Sequence, residues 1–349
     1  MSDAAGRPPE PHYDAPVPPR RLAEWVAKAG LVDAEAPLTV TQLSGGASNL
    51  TYRVTGGGRD WVLRRPPARG ALPTAHDMAR EYRVQAALAG SGVPVAAMVA
   101  LCADPAVLGA PFYLMERLDG VFHTDAAEVA ALPAPVAREA GLNLVRVLAT
   151  LHRVDPAGVG LGGMIRPEPY LHRQLRRWRG QWDRIGFDDV PALDSLLRRL
   201  AAEVPESSAL GIVHGDYNLG NVMYRADDSA EVRAVLDWEL STVGDPAADL
   251  GQLLAYWGPA GRLLNAYRGG HLPDANAALP DRGALVEAYT EAVGRPVPDL
   301  GYYERFAVVK LAVICAGALA RAKSPEPERV RRTVGLVAAL AGIAETVAD

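Results

Sequence analysis

The sequence predicts an α+β protein with a small, antiparallel, β-rich N-terminal lobe and a larger, mostly helical C-terminal lobe. Three observations lead there. The chain has 349 residues, more than a single hydrophobic core ordinarily serves. Strand-like runs dominate up to residue 117, and helical periodicity dominates from 118 onward. The composition, 49% hydrophobic and 22% charged, is that of an ordinary globular protein. The expected division is an extended arm over 1–18, the β-rich lobe over 19–117 and the helical lobe over 118–349.

The arm, MSDAAGRPPEPHYDAPVPPR, is rich in proline and charge and lacks the apolar core of a signal peptide. RRLAEWVAKAGL follows with amphipathic helical spacing. LTVTQL (38–43), NLTYRV (49–54) and WVLRR (61–65) are short, β-branched and aromatic, and the turn-forming SGGAS and TGGGRD separate them, so a three-stranded meander is expected. A helix over about 74–90 comes next, with Thr74 and Asp77 spaced as a capping box and Gly90 past its last turn. AAMVALCAD and PFYLMER supply two more strands. Beyond Asp119, helices are expected over 126–152, 170–186, 190–203, 246–257, 283–293, 302–323 and 327–346. NVMYR and VRAVLDW are the exceptions and read as a strand pair.

The totals exclude several classes. A net charge of -5 carries no polyanion-binding signature, so nucleic acid is not an expected partner. Cys102 and Cys315, the only cysteines, lack zinc or redox spacing. No apolar run approaches the roughly 20 residues that span a bilayer. The longest, FAVVKLAVICAGALARAK, is interrupted by Lys310 and reads as a buried helix. A cytoplasmic setting without membrane association is expected, with the oligomeric state left open. Lysine occurs only as Lys28, Lys310 and Lys323 among 36 basic residues, so arginine must fill roles usually given to lysine.

The chemistry concentrates in IVHGDYNLGNVMY, residues 212–224. Two asparagines, an aspartate, a histidine and two glycines there lie between apolar runs that call for burial. Phosphoryl transfer from ATP needs an acceptor for a hydroxyl proton, oxygen ligands for Mg²⁺, and positive groups with free backbone around the phosphates. Asp216 has the chemistry of the first. Asn221, five residues later, offers a neutral oxygen to the metal, and Asp237, at the end of the return strand AVLD, offers an anionic one. A hairpin through NVMY and back along VRAVLD brings Asp237 near Asn221. The competing reading of the stretch is a polar turn.

HGDYNLGN (214–221), LDWE (236–239) and GDPAADL (244–250) together resemble the signature of the aminoglycoside phosphotransferase and choline kinase superfamily, which has a protein-kinase-like two-lobe fold. With VLRRPP and AHDMAREYRVQAAL, they resemble most the phosphotransferase domain associated with acyl-CoA dehydrogenases, over nearly the whole chain from about residue 36. The resemblance implies Mg²⁺ and ATP as cofactors, with GTP left open. It also implies Asp216 as catalytic base, Asn221 and Asp237 as metal ligands, and His214 as support for the loop. Asp249 is implied as the acid capping the loop's N–H groups; a first-turn helix acid remains the alternative.

On the nucleotide side, LSGGASNLTYRV suggests a strand, glycine turn and strand with Ser44, Gly45, Gly46 and Ser48 near phosphates. It is not a P-loop, since GxxxxGK[ST] is absent. In WVLRR, Arg64 and Arg65 lie on opposite faces. Arg64 is favoured for the place of the kinase lysine, Arg65 stays possible, and Glu81 on the next helix is the expected partner. Met115, Glu116 and Leu118 of the connector are candidates at the adenine. For the acceptor, a helix bearing Arg173, Arg176 and Arg177 on one face, with Trp178, suits an anion rather than a polycationic aminoglycoside; Glu239 joins these candidates. The expected function is O-phosphorylation of a small hydroxylated molecule such as a hydroxy acid or hydroxyacyl-CoA. An aminoglycoside kinase and a silent nucleotide-binding pseudokinase are the alternatives.

Overall fold

The structure is a computed structural model describing residues 17–33, 36–43, 49–67, 77–186, 190–206, 209–227, 230–266, 271–320 and 326–347. The expected arm as far as residue 16, the glycine turn with Ser44, Gly45, Gly46 and Ser48, and Thr74 lie outside the described residues. The chain divides into two compact units, one formed by 1–86 and 96–117, the other by 87–95 and 118–349.

In the first unit, α1 (Pro19–Lys28) precedes a five-stranded antiparallel sheet of β1 (Thr39–Gln42), β2 (Leu50–Gly56), β3 (Arg59–Arg65), β4 (Met98–Cys102) and β5 (Phe112–Glu116). The sheet order is β1-β2-β3-β5-β4. α2 (Met78–Leu88) and α3 (Pro105–Leu108) interrupt the strands. α2 starts later than its expected N-cap: the Asp77 carboxylate accepts the Arg80 N–H at 2.9 Å, so Asp77 caps the helix. The meander forms because apolar residues alternate onto one face. Leu50, Tyr52, Val54, Trp61 and Leu63 pack there with Leu22 and Val26 of α1.

The second unit opens with β6 (Val121–Phe122), α4 (Ala126–Ala130) and α5 (Ala134–Arg153). The single helix expected over 126–152 is thus two, because Pro133 lacks the N–H a continuous helix needs. α6 (Tyr170–Ile185) and α7 (Pro191–Ala202) follow. Then come β7 (Gly211–Val213), β8 (Val222–Tyr224), β9 (Val232–Val235) and β10 (Thr242–Gly244). β7 pairs with β10, and β6, β8 and β9 form a second small sheet. β6, β7 and β10 were too short to stand out as strands in the sequence. α8 (Ala247–Trp257), α9 (Pro259–Asn265), α10 (Arg282–Val293), α11 (Leu300–Ala320) and α12 (Pro327–Thr346) complete the unit. Its helical core gathers Leu175, Trp178, Trp182, Tyr303, Phe306, Val313 and Leu340, among others. Among the described residues no helix is long and apolar enough to cross a membrane.

Candidate active site

The loop after β7 is held from beneath by α8. Asp249, in the first turn of that helix, accepts the His214 N–H at 2.6 Å and the Gly215 N–H at 2.8 Å, one on each carboxylate oxygen. His152 Nε2 lies 3.3 Å from the same carboxylate, and Tyr289 OH lies 2.7 Å from His152 Nδ1. Burial works against the charge on Asp249. Hydrogen bonding and attraction from His152, the His214 side chain and the Gly215 N–H overcome it, and the carboxyl is held below its usual range. Both readings of Asp249 therefore coexist: a first-turn acid is also where two backbone donors end. Gly215 itself has φ +84°, and a Cβ there would sit 2.7 Å from the Leu240 carbonyl oxygen, so only glycine fits this turn.

His214 is fully buried. The Asp216 N–H donates to its Nδ1 at 3.2 Å and its Nε2 donates to Leu236 O at 2.8 Å, which ties the loop to the strand leading to Asp237. Asn221 Nδ2 donates to Asp216 O at 2.8 Å and to Asp216 Oδ2 at 3.0 Å. Since those oxygens can only accept, the amide nitrogen must face them and the Asn221 oxygen is turned the other way.

The β8–β9 hairpin sets Val222 opposite Val235, and the Leu236 N–H donates to Asn221 O at 2.9 Å. Asp237 follows with φ 63° and ψ 62°, the only non-glycine residue at positive φ among those described. A left-handed aspartate is a local strain of the kind kept at functional positions. Burial raises the Asp216 pKa, opposed by Lys310, His214 and the Asn221 hydrogen bond and reinforced by the Asp237 carboxylate, so the two acids sense each other. Glu239 is partly buried in the short 3-10 helix after Asp237.

Among the described residues no group of three or more His, Cys, Asp and Glu converges as a metal cage. The donors available are hard oxygens, a carboxylate and an amide. That set fits Mg²⁺, which is commonly bound by one or two protein ligands together with substrate phosphates.

In the first unit, Arg64 rather than Arg65 reaches Glu81, Nε to Oε2 at 3.1 Å, with Glu81 fully buried. Asn49 and Tyr113 also donate to Glu81, at 3.3 and 3.1 Å, and Tyr113 stands directly across the sheet from Arg64. Arg65 points the other way, is buried, and donates to Pro66 O. Met115 is a buried residue of β5, with Glu116 exposed at the strand end and Leu118 partly buried just beyond.

The α6 candidates separate. Trp178 is a correction: it is 4% exposed and packs on Phe306 with ring centroids 4.3 Å apart, so it is core and cannot stack on a ligand. Arg176 is an ion-pair partner of Glu168 at 2.5 Å, and Arg173 donates to Glu168 O and lies over the Tyr170 ring. Arg177 is exposed, makes no ion pair among the described residues, and is close enough to Lys310 to oppose its charge.

Sequence reading missed three groups around Asp216. Gln252 donates to Asp216 Oδ1 at 2.7 Å, Tyr256 OH lies 3.4 Å from the same oxygen, and Lys310 donates to Gly215 O and to Gln252 Oε1. The available signal was Lys310 itself, a charge within the apolar run from Phe306 to Ala320 and one of only three lysines.

An α+β kinase-like chain with an Asp–Asn loop and a returning aspartate belongs to the class of small-molecule phosphotransferases. The model of the phosphotransferase enzyme family matches residues 39–286, and the chain belongs to that family. A solved structure from Ralstonia eutropha JMP134, assigned as an aminoglycoside phosphotransferase, is 32% identical with a TM-score of 0.78, covering 94% of this chain and 98% of that one. Acyl-CoA dehydrogenase family member 10 of Mus musculus is 34% identical over 291 residues, 82% of this chain. The chain spans only 27% of that relative's length. Aminoglycoside phosphotransferase APH(4)-Ia, solved in a ternary complex with AMP-PNP and hygromycin B, shares the fold at 16% identity and a TM-score of 0.61, covering 93% of this chain and 98% of that one.

Proposed function

We propose that this chain transfers the γ-phosphoryl group of ATP to a hydroxyl of a small anionic metabolite, a hydroxy acid or a hydroxyacyl-CoA. The observation that carries the reading is the Asn221 amide, which donates to Asp216 and turns its oxygen the other way, on a loop bonded through the Asn221 backbone carbonyl to Leu236, the residue before Asp237. One loop thereby separates a proton acceptor from metal donors.

In the reaction, the acceptor hydroxyl oxygen forms a bond to the γ-phosphorus as the bond from that phosphorus to the β-bridging oxygen breaks. ADP leaves, and the hydroxyl proton passes to Asp216. Gln252 and Asn221 hold one carboxylate oxygen each, and Oδ2 keeps a lone pair for the proton. Asn221 and Asp237 would hold Mg²⁺, which when bound offsets charge on the phosphates. Arg64, oriented by Glu81, is assigned to the α- and β-phosphates. GTP as an alternative donor is left to assay.

An anionic acceptor is supported by Arg177, an exposed guanidinium without an ion pair among the described residues and near the Lys310 charge. Such a group recognises a carboxylate or phosphate and repels a polycation. The name of the acyl-CoA dehydrogenase relative favours a CoA thioester within that class. The test is mass spectrometry on a pool of hydroxy acids, hydroxyacyl-CoA esters, choline-like alcohols and aminoglycosides with Mg·ATP. We expect one acid or thioester to gain a phosphate with wild type and not with Asp216→Asn. Phosphorylation of an aminoglycoside alone would overturn the acceptor class, and a fully active Asp216→Asn would overturn the base.

A further inference from the structure

Lys310 sits on α11 two turns beyond Tyr303, on the face that packs against α8. That approach is close because Gly251 has no side chain: a Cβ there would lie 2.6 Å from the Tyr303 carbonyl carbon. The contact carries the lysine beneath the catalytic loop, where its ammonium donates to Gly215 O and to Gln252 Oε1, the latter at 2.5 Å. Burial lowers its pKa against the attraction of Asp216 and Asp249, and Arg177 adds a further opposing charge.

Gln252 is 2% exposed and has two unlike ends. An ammonium has donors only, so the end facing Lys310 must be the oxygen, and the end facing Asp216 must then be the NH₂. Reversed, the amide would set its oxygen against the Asp216 carboxylate at the present 2.7 Å spacing. Among the described residues, Lys310 and Asp216 are the two side-chain partners of Gln252 that select between the orientations. Asp249, Gln252 and Tyr256 recur at i, i+3 and i+7 of α8, so one helix face carries the loop's anchor and both of these contacts to Asp216 Oδ1.

We infer that Lys310 is a positioning residue for the phosphoryl transfer, holding Gln252 in the amide orientation that donates to Asp216. The inference rests on the assignment of Asp216 as proton acceptor. Through Gln252, the lysine directs the free lone pair of Asp216 at the hydroxyl. This chain thereby supports its catalytic base with a cation from a distant helix.

The full chain is tested in two ways. In ¹⁵N-labelled protein the Gln252 side-chain amide, identified by its absence in Gln252→Glu, is compared in wild type, Lys310→Met and Lys310→Arg. We expect its resonances to move in Lys310→Met and to return toward wild type in Lys310→Arg; an unmoved amide in Lys310→Met overturns the inference.

Single-turnover transfer from Mg·[γ-³²P]ATP to a pool of hydroxy acids and hydroxyacyl-CoA esters, and to water, gives the second readout. Misplacement of a reacting group by a remote change reaches about a hundredfold in rate, so Lys310→Met is expected to transfer roughly ten- to a hundredfold more slowly at unchanged KM for ATP, with partial rescue in Lys310→Arg. Lys310→Met/Gln252→Met should then be no slower than Gln252→Met beyond about twofold. Losses that multiply, or wild-type rates in Lys310→Met, refute the positioning role. Asp216→Asn separates the two failures. If it is inactive while Lys310→Met is unimpaired, only the present inference falls. If it remains active, the assignment of the base falls as well.

Discussion

Asp249→Asn isolates the anchor of the catalytic loop. Each oxygen of Asp249 accepts one backbone N–H, from His214 at 2.6 Å and Gly215 at 2.8 Å, and the residue is 1% exposed. An asparagine has one oxygen and one NH₂, so one of those two donors must face another donor. Leaving a buried N–H unsatisfied costs about 1–3 kcal/mol, and the surviving bond loses charge assistance of roughly 1 kcal/mol. Relief of the carboxylate's burial offsets part of this, leaving an expected loss of about 1–3 kcal/mol, a sizeable share of the 5–15 kcal/mol typical of a folded domain. Urea unfolding followed by tryptophan fluorescence and far-UV circular dichroism measures it, as a lower midpoint at unchanged slope.

The pH dependence has a definite sign. The folded pKa of Asp249 is depressed, so its ionic contribution is complete above the ordinary value of about 3.9 and fades only as pH falls through the lower folded value. The stability gap between wild type and Asp249→Asn should hold from pH 7 to 5 and narrow below about pH 4. A loss under about 0.5 kcal/mol, the range of ordinary surface changes, or a gap that already closes at pH 6, would refute this account of the loop.

Glu81→Gln leaves Arg64 beside a neutral amide in a buried site; we expect a higher KM for ATP and about 1–3 kcal/mol of lost stability, checked by kinetics and thermal unfolding. Trp178→Ala should destabilise by about 3–5 kcal/mol with little change in acceptor KM, whereas Arg177→Ala should raise the acceptor KM in a salt-dependent way and leave the melting temperature in place. Asp237→Asn keeps a residue type that tolerates left-handed backbone, so the fold should persist while the Mg²⁺ concentration for half-maximal activity rises; an unchanged Mg²⁺ dependence would remove Asp237 from the metal site.

Much of this site was legible because it is local. Asp216 and Asn221 share one short loop, and Asp237 returns on a hairpin whose register follows from strand alternation. Arg64 and Glu81 could be matched by the same periodicities, although the choice over Arg65 needed the register that puts Arg64 across from Tyr113. The sequence by itself therefore determined the class of fold, the family and the chemical elements of the loop. Tertiary structure decided what depends on which helix faces meet. Arg177 and Trp178 are neighbours in sequence, yet Phe306 on α11 takes the tryptophan into the core and leaves the arginine exposed. Gln252 and Lys310 lie in helices that read as plain core, and they converge on Asp216 because Gly251 lets α11 close on α8. Local spacing encodes contacts a few residues apart, whereas contacts between distant helices follow from packing.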